Sequence, residues 1–229
     1  PQVDFLFGTH TLHKFPEILW EALIRRKRVF DVEDSDGVIA EGLPVRRTPG
    51  VKASIPIMYG CNNFCTYCVV PLVRGRERSR LPEDVLAEVR QAVADGYREI
   101  TLLGQNVNSY GNDLDIGWHF PDLLRAVNEI PGQFWVRFLS SHPKDCTREL
   151  IDAIASCEKV CSHVYLPVQS GSNRILQLMN RRYTVEWYKE LLTYARERIP
   201  GVLFTTDLLV GFPGETEEEF SQTLAFLRR

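Results

Sequence analysis

Ser54-Ile55-Pro56-Ile57-Met58-Tyr59-Gly60-Cys61-Asn62-Asn63-Phe64-Cys65-Thr66-Tyr67-Cys68 joins a short apolar run to three cysteines spaced C-x3-C-x2-C. Residues 54–59 read as a strand, and the cysteines occupy the loop that follows it. Pro82 then sits where a helix begins without needing its missing N–H, Val85, Leu86, Val89, Ala92 and Val93 share one apolar face, and Gly96 supplies a stop. Strand, cysteine loop and helix together form one β-loop-α unit.

Further units follow downstream. Residues 99–103 predict a second strand and 120–130 a second helix; 134–139 predict a third strand, with 147–156 helical after it. A fourth strand is expected over 163–168, helices over 172–180 and 184–199, and a fifth strand over 202–210. The helix at 184–199 is expected to bury Trp187, Leu191, Leu192 and Ala195, and Thr216-Glu217-Glu218-Glu219 forms a capping box for the last helix. Such alternation predicts an α/β fold built as a partial (βα) barrel with parallel strands. Because the fifth strand would leave a sheet edge unpaired, more chain is expected beyond residue 229. Residues 1–50 differ: Val3-Asp4-Phe5-Leu6-Phe7-Gly8 is strand-like, 15–27 is helical, and a polar stretch with Pro44, Pro49 and Gly50 follows. They predict the tail of a preceding domain plus a linker, with the barrel core over 51–229.

The strand ends of a parallel βα array face its active site, so the cysteine loop is placed at the mouth. Three thiolates hold three irons of a cubane and leave the fourth iron open to a substrate. A structural zinc site is the alternative; it needs a fourth ligand such as His10 or His142 and usually shows paired C-x2-C knuckles. Six cysteines in 229 residues are too few for a disulfide scaffold. Cys146, Cys157 and Cys161 read as small apolar residues, and His10 and His142 as structural histidines.

A hydrophobic content of 44% provides for a substantial core, and no apolar run approaches the roughly 20 residues a membrane span requires. The start, Pro1-Gln2-Val3-Asp4, lacks the character of a signal peptide, so a cytoplasmic protein is expected, an organellar one being the alternative. A net charge of -3 argues against a uniformly basic nucleic-acid coat. Positive residues nevertheless cluster at Arg25-Arg26-Lys27-Arg28, at Arg46-Arg47 and from Arg74 to Arg80. Arg74, Arg76, Arg78 and Arg80 recur at every second position, so an extended segment would turn all four to one side, toward a phosphate backbone.

The cysteine loop resembles that of the radical S-adenosylmethionine superfamily. The likeness extends to Phe7-Gly8-Thr9-His10, to Arg74-Gly75-Arg76-Glu77, to Gly104-Gln105-Asn106-Val107-Asn108-Ser109-Tyr110-Gly111, to Ser140-Ser141-His142-Pro143-Lys144-Asp145 and to Gly211-Phe212-Pro213-Gly214-Glu215-Thr216. Over essentially the whole chain it is similar to the tRNA methylthiotransferases, and most to the branch that adds a methylthio group at C2 of N6-isopentenyladenosine beside the anticodon. Sister branches act on threonylcarbamoyladenosine or on a ribosomal-protein aspartate. From another class, a non-catalytic, zinc-stabilised RNA-binding module is the competing expectation.

The resemblance implies a barrel with about five of six strands present, a [4Fe-4S] cluster on Cys61, Cys65 and Cys68, and S-adenosylmethionine cleaved at its open iron to a 5′-deoxyadenosyl radical. Gly104, Gln105 and Asn106 would recognise the methionine moiety, their amides supplying hydrogen bonds. Tyr67 would pack near the adenine, and Gly211 would contact it. Gln169, Ser170 and Arg182 would approach the ribose and carboxylate or the target base. A second cluster is expected on an N-terminal domain and RNA binding on a C-terminal β-barrel, both outside this chain, so this stretch alone is expected not to complete methylthiolation. Implied partners are a tRNA anticodon stem-loop and an electron donor such as flavodoxin or ferredoxin; no membrane partner is expected, and the protein is expected to be a monomer. A buried base edge is reached only in a loop that can be splayed open, which an anticodon loop provides.

Overall fold

A computed structural model describes residues 2–8, 10–32, 39–42 and 45–228; Pro1, Thr9 and Pro44, named among the sequence features, lie outside them. The chain opens with β1 (Phe5–Phe7), α1 (Phe15–Leu23) and β2 (Val29–Asp31). β1 and β2 pair in parallel, and Phe5, Phe7 and Phe15 close their rings over the pair.

The expected first strand divides in two: β3 (Lys52–Pro56) and β4 (Met58–Tyr59). Ile57 still donates to the Leu103 carbonyl at 2.8 Å, after which the chain turns away and β4 pairs antiparallel with β5 (Arg78–Ser79). Between them lie the cysteine loop and the short α2 (Val70–Arg74). α3 (Pro82–Ala94) starts at the expected proline and buries Val85, Val89 and Ala92, while Gly96, at φ +94°, ends it in a conformation that other residues adopt at a cost.

β6 (Glu99–Leu103) lies beside β3, and after α4 (Phe120–Asn128) β7 (Trp135–Phe138) lies beside β6, all parallel. α5 (Arg148–Ser156) is capped by Thr147, whose hydroxyl accepts from the Leu150 N–H. β8 (His163–Tyr165) follows, its approach joined to β7 by a parallel bridge from Val136 to Val160. Ser172 and Thr184 cap α6 (Asn173–Leu178) and α7 (Val185–Arg198), and β9 (Leu203–Thr205) pairs in parallel with β8. α8 (Glu217–Leu227) opens on the expected capping box, with reciprocal bonds between Thr216 and Glu219.

The order β3, β6, β7, β8, β9 thus steps one place per unit, as in a barrel, and the sheet stays open: among the described residues no ladder joins β9 to β3. Core residues of strands and helices interleave, with Ile55, Ile100, Leu102, Val136 and Val164 packed against Val85, Phe120, Leu124, Ile151 and Leu191. No described helix is long and apolar enough to cross a membrane.

Two expectations need correction. Trp187 is 38% exposed, and Tyr188 takes the inward place, its hydroxyl donating to the Leu166 carbonyl at 2.7 Å. A full-length aromatic with a polar tip is buried where that tip finds a partner, and β8's end provides one. The four arginines do not form one strip either. Arg74 ends a helix, and Arg80 is 7% exposed, held by Glu41 through two bonds of 2.6 Å, by Glu88 at 2.6 Å and by the Pro56 carbonyl at 2.7 Å. The bend at Gly75 breaks the period of two on which the strip depended.

Candidate functional site

The loop from Gly60 to Cys68 leaves the end of the first strand and is tied down on three sides. On the first, Gly60 adopts φ +74° and presses on the segment after α2: a Cβ there would fall 1.9 Å from the Arg76 carbonyl oxygen. Cys61 donates its N–H to the Gly75 carbonyl at 3.2 Å beside it. On the second, Asn62 and Glu77 exchange bonds, the Glu77 carboxylate accepting from the Asn62 N–H at 3.1 Å and the Glu77 N–H donating to Asn62 Oδ1 at 3.3 Å. Arg76 lies over the Phe64 ring, 4.7 Å from its centre.

The third tie comes from the turn between α6 and α7. Thr66 donates its N–H to the Met179 carbonyl at 3.2 Å and its hydroxyl to that of Leu178 at 3.0 Å. Asn180 Nδ2 donates to the carbonyls of Asn63 and Phe64, and Arg181 Nη1 reaches Cys65 Sγ at 3.4 Å. Phe64, Asn180 and Arg182 all hold positive φ, a conformation costly for residues with a Cβ and found where surrounding structure imposes it. The bracing role of this turn is not apparent from the sequence, where only a run of polar residues between two amphipathic helices marks it.

Cys61, Cys65 and Cys68 are free thiols, the first buried and the others half-buried. Burial pushes the Cys61 thiol above its ordinary range, so loading a metal there must release a proton. Among the described residues no three His, Cys, Asp or Glu side chains gather around a point where they could share one metal ion. A mononuclear zinc requires just that, with sulfurs at about 2.3 Å from a common centre, whereas a cubane spreads its cysteines over separate irons. In its chemistry the donor set, three thiols from one loop, suits a cluster with one iron left open. Cys146 lies fully enclosed, its thiol pushed up to about 12 by burial; burial also raises Cys157 and Cys161, in keeping with inert side chains.

Facing the loop are the ends of β6 and β7. Gln105 Oε1, Asn106 Oδ1, Asn108 Oδ1 and Nδ2, Ser141 Oγ and His142 Nε2 are all buried without a protein partner. Buried polar atoms are nearly always paired, so their concentration at these two strand ends points to a polar ligand. Asn106 is held from behind, its Nδ2 donating to Asp145 Oδ2 at 2.7 Å. His142 Nδ1 accepts from the Lys144 N–H at 3.2 Å, which leaves Nε2 to carry the ring proton; burial, then the charges of Arg181, Lys144 and Arg182, lower its pKa to about 2.

The remaining expected contacts divide. Gln169, with φ 67° at the end of β8, and Tyr67, 39% exposed in the cysteine loop, border the mouth. Gly104 is accounted for by packing, since a Cβ there would meet Met58 Cγ at 2.6 Å. Gly211 is exposed, with φ +71° and its N–H bonded to the Glu215 carboxylate at 2.6 Å. Ser170 is wholly buried, its hydroxyl accepting from the Ser172 N–H and lying 3.4 Å from Thr223 Oγ1 of α8. Arg182 is exposed and donates to Asn180 Oδ1 at 3.3 Å, while its neighbour Arg181 faces inward. A separate cavity of about 550 Å³, lined by Phe7, Leu12, Val45, Tyr59 and Arg78, lies behind the loop and includes none of its cysteines.

The sequence profile of the Radical SAM superfamily matches residues 55–227. Over 229 residues the chain is 57% identical to the tRNA-2-methylthio-N(6)-dimethylallyladenosine synthase of Carboxydothermus hydrogenoformans, covering 100% of itself and 52% of that protein. Over 227 residues it is 57% identical to the synthase of the same name from Acetivibrio thermocellus, covering 99% of itself and 47% of that protein. The chain thus spans about half the length of the curated relatives it matches. In structure it is similar to the radical S-adenosylmethionine methyltransferase TsrM from Kitasatospora setae, with TM-score 0.64 and 24% identity, covering 85% of this chain and 38% of that one. It also resembles the cobalamin-dependent S-adenosylmethionine radical enzyme OxsB, with TM-score 0.62 and 14% identity, covering 93% and 28%. These two likenesses concern the fold.

Proposed function

The chain belongs to the radical SAM superfamily, and from that premise we propose that it is the cofactor-cleaving core of a tRNA methylthiotransferase acting at C2 of N6-isopentenyladenosine. The observation that carries this reading is the likeness, along the entire chain, to synthases of that specificity. Cys61, Cys65 and Cys68 would hold a [4Fe-4S] cluster, and the free polar atoms of Gln105, Asn106, Asn108, Ser141 and His142 supply hydrogen bonds for S-adenosylmethionine, with Gly104, Tyr67, Gln169 and Gly211 along its border. Bound together, cluster and S-adenosylmethionine supply reductive cleavage of a sulfonium carbon–sulfur bond, chemistry that no side chain performs.

The protein's own residues do the rest. Ties from Gly60, Glu77 and the Leu178 to Arg181 turn hold the loop in the shape that presents its cysteines together. The neutral His142 offers a donor at Nε2 without adding a charge to the mouth. Exposed Arg74 and Arg76 supply positive charge for RNA beside the loop. The parallel unit of β1, α1 and β2 supports reading residues 1–50 as the end of a preceding domain plus a linker, with the radical core over 51–229. In the intact protein that domain would hold the second cluster. The substrate is the anticodon stem-loop of tRNA, the electron donor a flavodoxin or ferredoxin, and the enzyme a cytoplasmic monomer.

Anaerobic reconstitution is expected to load about four irons on these cysteines, with a brown colour that is lost when all three are replaced by Ala. Mass spectrometry of tRNA from cells with and without the intact gene then tests the substrate. Colourless protein carrying a single zinc, or unchanged tRNA, would refute the reading.

A further inference from the structure

Arg181 is the most enclosed charge at the mouth, 4% exposed, yet among the described residues no carboxylate lies within ion-pair distance of it. Its guanidinium is held in place by three groups: Nη2 donates to the Pro167 carbonyl at 3.0 Å, Nε to the Tyr183 hydroxyl at 3.2 Å, and the Tyr183 ring lies 5.3 Å away. Nη1 is thereby aimed at Cys65 Sγ, 3.4 Å distant. A buried cation without a counter-ion is costly, and proteins that keep one supply an anion. Of the two ionisable groups that touch Arg181, burial keeps the Tyr183 hydroxyl neutral, which leaves the Cys65 sulfur, a thiolate once it ligates a metal, as the one to carry negative charge.

Resting on the reading that Cys61, Cys65 and Cys68 ligate the cluster, we propose that Arg181 is a positioning residue that sets the cluster's reduction potential, through a charge-assisted hydrogen bond to the sulfur of Cys65. Reduction by an external one-electron donor of the ferredoxin or flavodoxin class adds one negative charge, shared between the irons and their sulfur ligands. A fixed guanidinium against one of those sulfurs, in a site poorly screened by water, stabilises the reduced form more than the oxidised one and so raises the potential. Flanking residues keep it there, since the side chain of Asn180 and the backbone of Met179 are themselves bonded to the cysteine loop. Arg181 and the sulfur therefore belong to one rigid assembly.

The test is an EPR-monitored redox titration of the intact protein, reconstituted anaerobically, with R181Q and R181M as neutral variants and without S-adenosylmethionine. The proposal expects iron and sulfide contents equal to wild type and a midpoint potential displaced downward in both variants. A loaded variant with the wild-type midpoint overturns it; so does a role for Arg181 confined to the carboxylate of S-adenosylmethionine, which would leave this titration unmoved. If neither variant assembles a cluster, the guanidinium serves to hold the loop rather than to poise the iron, and the proposal also falls. Failure of tRNA modification by the wild type would count only against the proposed substrate, since the titration needs the cluster alone. A wild type that remains colourless would remove both readings.

Discussion

The side-chain amide of Asn180 donates to the carbonyl of Phe64 at 2.9 Å, and the same nitrogen reaches the carbonyl of Asn63 at 3.1 Å. One residue of the α6 to α7 turn therefore fixes two successive peptides between the first and second cysteines. Asn180→Ala removes both bonds, each with a net value of about 0.5–1.5 kcal/mol, and places a Cβ-bearing residue of lower tolerance at φ 57°. Lower thermal stability and reduced iron per chain are expected. Asn180→Gly relieves the backbone but not the missing bonds, so it should recover stability more than iron. Equal iron in wild type and both variants would show that the turn does not organise the loop.

Gly60 offers a sharper steric test. Its φ of +74° alone disfavours Ala by about 1–2 kcal/mol, and a Cβ 1.9 Å from the Arg76 carbonyl oxygen would drive the chain after α2 away from the loop. Gly60→Ala is expected to abolish cluster assembly. Gly96→Ala, at φ +94° with nothing within 4 Å of the added Cβ, is expected to cost only the backbone strain and to load iron normally. Iron content and melting temperature of the two variants, measured side by side, decide between a steric and a merely conformational requirement.

Local signals carried most of the fold. Pro82 and Gly96 bound α3 as read, β6 spans Glu99–Leu103 as expected, and Thr147, Ser172, Thr184 and Thr216 cap the helices that follow them. What failed was set by partners far away in sequence. Arg80 is inward because Glu41 and Glu88 meet it there, and no periodicity records that. The choice of Tyr188 over Trp187 rests on the Leu166 carbonyl, and the inward turn of Arg181, which the sequence does not mark, on Pro167 and Cys65. In the proposed site, the three cysteines stand out in the sequence because their spacing is local. The bracing turn between α6 and α7 does not, its residues lying more than a hundred positions from the loop, as Asn180 does from Phe64 (|i−j| 116).

His142 gives a pH dependence whose sign is fixed by its burial. Its pKa falls from the ordinary 6.5 to about 2 in the folded protein, first through desolvation and then through Arg181, Lys144 and Arg182. Between those values the unfolded chain binds the proton and the folded one does not, so stability is lost as pH drops below about 6.5. His142→Gln, which has no such proton to take up, is expected to flatten the decline of denaturant stability between neutral pH and about pH 5. A variant with the same slope as wild type would place the acid sensitivity elsewhere.

Arginines on either side of Gly75 should separate into structural and RNA-facing roles. Arg80 sits in a largely buried network with Glu41, Glu88 and Arg47, so Arg80→Ala leaves Glu41 without its partner while Glu88 keeps Arg47, and is expected to cost about 3 kcal/mol. Provided it still folds at low temperature, its tRNA affinity should keep the wild-type dependence on salt. Arg74 and Arg76 are exposed, and Arg76 stacks on Phe64 with a value of about 0.5–1 kcal/mol. Replacing both with Ala should change the melting temperature little, while weakening tRNA binding by the intact protein and lowering the slope of log affinity against log salt by roughly one for each phosphate no longer neutralised. Melting curves and binding isotherms at several salt concentrations distinguish the two groups. Breaking a buried ion network destabilises the fold without releasing fewer counterions, whereas removing an arginine that neutralises a phosphate does the reverse.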